Sequence, residues 1–282
     1  MRELVDDLKG VKLAIFDLDG VVYLGTSLIK NVDNIVQELK DLSIKVVYNS
    51  NNSTITRQMY VERLKGLNIP SDFSDFYTSA SITAMEITKI RENSNIFVIG
   101  EVGLREELKA MGHNVIKRPS KSRYDDIDYV IVGLDLHFNY NNIAIAQRCI
   151  LEGHAQFYAT NADASLPVSD GLMPGAGVMV NAVETCTGKK PIKIFGKPQP
   201  HGIEMILNDL KIPANKAIIF GDRAETDILA GNRAGIMTAM VLTGVYSKEM
   251  VAELVENSKK STSFEKDLIP NFTFNTLNDI FK

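Results

Sequence analysis

Short apolar runs recur along the chain, and most of them end abruptly in polar residues. Val11–Phe16 is the first, closed by Asp17-Leu18-Asp19-Gly20. Its unbroken hydrophobicity predicts a strand buried in a parallel sheet. From Asn31, a candidate N-cap, the residues Val32, Ile35, Val36, Leu39 and Leu42 repeat at helical spacing. Ile44–Tyr48 predicts a second strand, followed by the polar stretch Asn49-Ser50-Asn51-Asn52-Ser53-Thr54 and a helix from Ile55 to Leu64 that closes at Gly66. This strand–helix–strand–helix order predicts a parallel sheet with right-handed crossovers. The pattern resumes with strands at 96–99, 129–132 and 156–159, alternating with helices at Leu104–Met111 and Asn142–Leu151. Strands at 192–195, 217–220 and 237–242 complete it, and polar groups again follow at Gly196-Lys197-Pro198 and Gly221-Asp222-Arg223. The loosest stretch expected is Asn257–Ser263, rich in Ser and Lys.

Composition narrows the possibilities without naming a function. The 282 residues are 45% hydrophobic and 23% charged, with 31 basic against 35 acidic side chains and a formal net charge of −4. That balance offers no attractive field to nucleic acid or anionic lipid, and no apolar run is long enough to span a membrane. The two cysteines, Cys149 and Cys186, have neither disulfide-framework nor zinc-ligand spacing, which fits a reducing cytoplasm. The length leaves room for one large α/β domain or a core with a second lobe.

The candidate chemistry lies at the strand ends: Asp17 and Asp19, Ser50 and Asn51, Lys197, then Asp222 and Asp227. In an open parallel sheet, ligands bind outside the carboxyl ends of the strands, so groups this far apart in the chain can converge. Asp17, Asp222 and Asp227 brought together would repel, by roughly 4 kcal/mol per pair about 4 Å apart at an effective dielectric of 20. They call for cations, and an oxygen-only donor set suits a hard divalent ion such as Mg²⁺, with Lys197 as a further positive charge. A hydroxyl, a lysine and a divalent ion together are built to hold a phosphate ester. Asp17 is the candidate nucleophile, forming an aspartyl-phosphate, and Asp19 the candidate general acid and base. Each piece alone reads as a solvated turn or a helix cap; their joint occurrence in order favours the functional reading.

These segments resemble the haloacid dehalogenase superfamily of aspartate-nucleophile phosphatases over nearly the whole chain. Its four motifs appear in order as Phe16-Asp17-Leu18-Asp19-Gly20-Val21, the strand ending at Ser50, Phe195-Gly196-Lys197-Pro198, and Gly221-Asp222-Arg223-Ala224-Glu225-Thr226-Asp227-Ile228. The chain is most similar to the type IIA branch, the NagD-like or 4-nitrophenylphosphatase-like enzymes. Ser50-Asn51-Asn52-Ser53, Gly133-Leu134-Asp135-Leu136-His137-Phe138-Asn139-Tyr140, Thr160-Asn161-Ala162-Asp163 and Pro174-Gly175-Ala176-Gly177 carry that likeness.

The resemblance implies a Rossmann-like parallel-sheet core, about 1–91 and 191–282, with an inserted α/β cap at about 92–190 that chooses the substrate. It implies Mg²⁺ held by Asp17, the Asp19 carbonyl and Asp222, with Asp227 in support, and phosphate held by Ser50, the Asn51 backbone and Lys197. Leu166 stands where relatives specific for pyridoxal phosphate tend to have His, which disfavours that substrate. The expected partner is a small phosphorylated metabolite, such as phosphoglycolate, glycerol phosphate, a sugar phosphate or a nucleoside monophosphate. Relatives often dimerise through the cap, so a homodimer is the matching expectation. Transfer to a small acceptor and binding of a phosphometabolite without turnover are the alternative readings. Tyr48-Asn49 departs from the apolar pair common in relatives. Gly175 and Gly177 follow no clear strand and make no dinucleotide fingerprint. His137 and His201 lack spaced partners, and Met173, Met179, Met205 and Met240 read as core filler.

Overall fold

The computed structural model describes residues 2–119, 123–168, 171–259 and 266–282. They fall into two compact units, one of Met1–Ser50, Val61–Tyr77 and Lys197–Lys282, the other of Asn51–Tyr60 and Thr78–Gly196. The protein is of the α/β class, with a parallel sheet in each unit.

The first unit carries a six-stranded sheet in the spatial order Phe272–Phe274, Met237–Val241, Ala217–Gly221, Leu13–Phe16, Lys45–Ser50, Phe76–Thr78. Leu13–Phe16, buried at every position, pairs in parallel with Ala217–Gly221 on one edge and Lys45–Ser50 on the other. The register sets Phe16 opposite Phe220 and Tyr48, and its ring meets Phe220 edge-on at 5.2 Å. The chain leaves the first strand to one side and comes back on the other, which makes a topological switch point at its carboxyl end. Lys45–Ser50 runs two residues beyond Tyr48; Tyr48 stacks on Phe76 at 5.0 Å, and Asn49 and Ser50 are buried. The departure from an apolar pair therefore leaves the strand intact.

The second unit holds a five-stranded parallel sheet ordered Lys193–Ile194, Gln156–Ala159, Tyr129–Val132, Asn95–Ile99, Asn114–Ile116. The helices Ser79–Ile90, Val102–Ala110, Tyr140–Leu151 and Ala176–Thr187 accompany it. Phe97, Val130, Val132, Phe157 and Val183 build its core, and Cys149 lies fully buried among them as a free thiol. Ser165–Val168 and Gly171–Pro174 form an antiparallel hairpin that places Leu166 opposite Met173.

Four local expectations change. Asn31 is the N-cap residue of Val32–Asp41 but makes no capping bond; at φ 71° its side chain donates to Asn278 Oδ1 (2.6 Å) and accepts from Asn34 (2.6 Å). Gly175 does follow a strand, Gly171–Pro174, whose exposed residues carry no apolar pattern to announce it. Met173 is exposed rather than core, whereas Met179, Met205 and Met240 are buried. The expected loose stretch begins inside the helix Lys248–Ser258, and 260–263 lie outside the described residues. Among the described residues no helix is long and apolar enough to cross a membrane.

His113 gives the second unit a pH dependence. Its Nδ1 accepts from the Ser94 N–H (3.2 Å), and its Nε2 lies 2.9 Å from Thr88 Oγ1, whose own hydrogen goes to the Ala84 carbonyl. This arrangement selects the neutral ring protonated at Nε2, and burial pushes the pKa of His113 below its ordinary value. Below pH about 6.5 the unfolded chain takes up a proton that the folded ring refuses, so stability present above that pH is lost as pH falls, by at most about 1.4 kcal/mol per unit. Melts between pH 7 and 5.5 should show a steeper loss of Tm in the wild type than in His113→Gln; equal slopes would exclude His113 as the source.

Candidate active site

Three of the four expected strand ends meet at the switch point of the first unit. Asp17 follows Leu13–Phe16, Ser50 ends Lys45–Ser50, and Asp222 follows Ala217–Gly221. Asp227 comes in on the helical turn Ala224–Ile228, and Lys197 is supplied by the segment that re-enters the unit. The Lys197 ammonium donates to Asp17 Oδ1 (2.8 Å), Asp227 Oδ1 (2.6 Å) and the Asn49 carbonyl (2.8 Å). Its three hydrogens thereby have three acceptors, and its side chain is only 4% exposed.

The acids are fixed from the backbone side. Asp222 Oδ2 accepts from the Val245 N–H (2.9 Å), and Asp227 Oδ2 from the Arg223 N–H (3.2 Å) and Thr226 Oγ1 (3.3 Å). Gly20, at φ +83°, and Gly244 pass so close that a Cβ on either would stand 2.4 and 2.1 Å from Asp222 Oδ2. Only glycine fits there. Thr243 Oγ1 donates to the Gly20 carbonyl (2.5 Å) and ties the turn after Asp19 to the segment that holds Asp222. Asp17, Asp222 and Asp227 each present a carboxylate oxygen, all within 4.8 Å of one another.

A family model described as haloacid dehalogenase-like hydrolase matches residues 14–114, and a second, HAD-hydrolase-like, matches 194–268. The chain is 34% identical over 261 residues to an acid sugar phosphatase of Staphylococcus haemolyticus, covering 93% of this chain and 95% of that protein. It is 30% identical over 263 residues to the 5'-nucleotidase YutF of Bacillus subtilis, covering 93% and 99% of the two chains. Among solved structures, the p-nitrophenyl phosphatase from Archaeoglobus fulgidus matches with a TM-score of 0.85 at 31% identity, over 96% of this chain and 98% of that one. The chain belongs to the haloacid dehalogenase-like hydrolases. Its relatives are phosphatases and a nucleotidase, and this haloacid dehalogenase-like protein is a phosphomonoester hydrolase.

The electrostatics of the haloacid dehalogenase-like site follow from three acids around one lysine. Burial raises the Asp17 carboxyl well above its ordinary value; Lys197 opposes the rise, and Asp227 and Asp222 add to it. Asp222 is likewise pushed up to about 6, by burial and then by Asp227. Burial disfavours the Lys197 charge, yet the Asp17 and Asp227 carboxylates outweigh it and hold the ammonium charged. Asp19 sits toward solvent; desolvation raises its carboxyl, against the opposing charges of Arg63, Arg223 and Lys197. Arg63 is itself anchored, 3.8 Å over the Tyr23 ring and bonded to the Gly25 carbonyl.

The other two expected residues, Asn51 and Leu166, belong to the second unit. Asn51 is bonded there to Asp163, and Leu166 stands half-buried in its hairpin. Sequence reading missed Thr243-Gly244-Val245, although they follow a strand end as the other motifs do. It also missed the Asn49 carbonyl and Arg63, for which no residue pattern gave a signal. His137 has partners after all. Its Nδ1 is 3.0 Å from Glu101 Oε1, and Glu101, Asp135 and His137 each bring a ligand atom within 4.8 Å of the others on the second unit.

Proposed function

We propose that the protein is a Mg²⁺-dependent phosphatase of small phosphomonoesters, working through an aspartyl-phosphate on Asp17. The observation that carries this reading is the pair of bonds from Lys197 to Asp17 and Asp227 beside Asp222. Three carboxylates against one ammonium leave two uncompensated negative charges in a buried, all-oxygen donor set, the complement of one hard divalent cation. The residues fit the metal. Asp17, the Asp19 carbonyl and Asp222 would hold it, with Asp227 in support, and the bound ion would neutralise charge on the phosphoryl oxygens.

Lys197 grips Asp17 by Oδ1 and fixes the carboxylate for attack. Asp17 bonds to phosphorus as the ester P–O bond breaks, and Asp19 gives its proton to the departing alkoxide oxygen. Water then attacks phosphorus, Asp19 takes its proton back, and the bond between phosphorus and the Asp17 oxygen breaks to release inorganic phosphate. The raised pKa of Asp19 suits both halves of that exchange. Ser50, the Asn51 backbone and Lys197 hold the phosphate in this reading. The chain inserted at about 92–190 acts as an α/β cap that selects the alcohol, with Leu166 among the selecting groups. Exposed Leu136, Tyr140 and Leu172 in that segment support a homodimer through the cap, and the free cysteines support a cytoplasmic setting.

Hydrolysis of 4-nitrophenyl phosphate tests the metal dependence. Chelation with EDTA should reduce the rate by at least about 100-fold, and added Mg²⁺ should restore it. A rate unchanged by chelation would remove the metal from the reaction. Sugar and nucleoside monophosphates are then the first metabolites to screen.

A further inference from the structure

Asn51 follows Ser50 directly, and its side chain is gripped from far along the sequence. Its amide Nδ2 donates to both oxygens of Asp163, at 3.2 Å to Oδ1 and 3.0 Å to Oδ2. Asp163 Oδ2 also accepts from Asn161 Nδ2 (2.9 Å), and Asn161 Oδ1 accepts from Thr160 Oγ1 (2.8 Å). The Asn51 carbonyl accepts from Ser79 Oγ (2.6 Å), so both the backbone and the side chain of this residue are pinned. On its other side Gly196 presses close: a Cβ there would stand 2.6 Å from Asn51 Oδ1 and 2.8 Å from the Thr160 carbonyl. Gly196 is the residue before Lys197. One carboxylate therefore fixes the side chain of the residue after Ser50, which lies against the residue before Lys197.

We propose that Asp163 is a positioning residue for phosphate binding, acting through the Asn51 amide. This rests on the reading of Ser50, Asn51 and Lys197 as the phosphate-holding groups. A carboxylate makes a stronger acceptor than a neutral oxygen, so the Asn51 side chain keeps one rotamer and its peptide one orientation. A small rotation of that peptide would misdirect its N–H from a phosphoryl oxygen. Asp163 touches no reacting atom in this account. Phosphate is held alike in substrate and product, so losing the clamp weakens both by the same factor.

The test uses the full chain with Mg²⁺ and compares Asp163→Ala, Asp163→Asn, Asn51→Ala and the Asn51→Ala/Asp163→Ala double variant. Kinetics with 4-nitrophenyl phosphate and inhibition by inorganic phosphate are the readouts. Asp163→Ala should raise KM and the phosphate Ki together by about 10-fold, with kcat changed less than about threefold. Asp163→Asn, which keeps one acceptor oxygen, should recover part of the loss. It also preserves the size of the side chain should the alanine variant not fold. The double variant should be no worse than the worse single one, because both act through one contact. An unchanged Ki in both Asp163 variants, a KM shift that depends on the leaving group, or additive losses in the double variant would each overturn the clamp. Ser50→Ala separates the underlying reading: an unaltered Ki there removes the phosphate-holding assignment itself, and the clamp with it.

Discussion

Asp17→Asn should abolish hydrolysis of 4-nitrophenyl phosphate, by about 10⁴-fold or more, while leaving the protein folded. The amide matches the carboxylate in size and can still accept the Lys197 bond through its oxygen, so the geometry survives. What disappears is the nucleophile, since the amide does not bond to phosphorus and a direct attack by water lacks the two-step route. The metal-free variant should also melt higher than metal-free wild type at pH 8. Folding costs the ionised Asp17 its solvation, and its raised pKa records that cost. Between the unfolded and folded pKa values the native state holds a proton that the unfolded chain has released, so the wild type loses stability as pH rises through that window. The amide has no proton to lose. Activity within tenfold of wild type would remove Asp17 from its assigned role, whatever the melts show.

Lys197→Met should be the most destabilising single change in the first unit. It removes the partner of Asp17 and of Asp227, the latter fully buried, and leaves the Asn49 carbonyl without its donor. Breaking a buried pair from one side costs about 3–5 kcal/mol, or roughly 10 °C in Tm for a chain of this size. Asp17, whose carboxyl burial already raises, can escape part of the penalty by taking a proton, so the loss should be smaller at pH 5 than at pH 8. Added Mg²⁺ should return part of it at pH 8. Lys197→Arg should rescue little, because a flat guanidinium cannot replace a compact ammonium with three acceptors at 2.6–2.8 Å. Melts of the two variants at both pH values, with and without Mg²⁺, measure this; a Tm for Lys197→Met within about 1 °C of wild type would show that the ion pairs do not carry the unit's stability.

Three of the motifs were legible because each follows a run of buried apolar residues, so strand and chemistry announced one another; before Lys197 the strand is only Lys193–Ile194, and Ile192 is exposed. Leu13–Phe16 with Asp17 and Ala217–Gly221 with Asp222 are the clearest cases. The helix Ser79–Ile90 was invisible for the opposite reason. Ser79, Ala80, Ser81, Ile82, Thr83 and Ala84 are all buried, so no amphipathic period exists, and small polar residues stand where apolar ones would signal a core. The hydroxyls of Ser81 and Thr83 are satisfied within the helix's own turns, as in the bond from Thr83 Oγ1 to the Ser79 carbonyl (2.6 Å), while Ser79 Oγ donates to the Asn51 carbonyl. Within the site, Lys197 could be read but not its third acceptor, since the Asn49 carbonyl is backbone that any residue would offer. The pairing of Asn51 with Asp163 bridges 112 positions, and nothing local in either segment predicts it.

The order of strands in the six-stranded sheet also sets a timetable for synthesis on the ribosome. Leu13–Phe16 can pair with Lys45–Ser50 early, but its other edge waits until Ala217–Gly221 has emerged. At roughly 5–20 residues per second, that apolar edge stays open for on the order of 10 to 40 s. The second unit, by contrast, is complete in sequence once Gly196 is made. The nascent chain thus carries a finished sheet beside an unfinished one, and the unfinished one, with bare strand edges to pair with strangers, is where chaperones would find their hold.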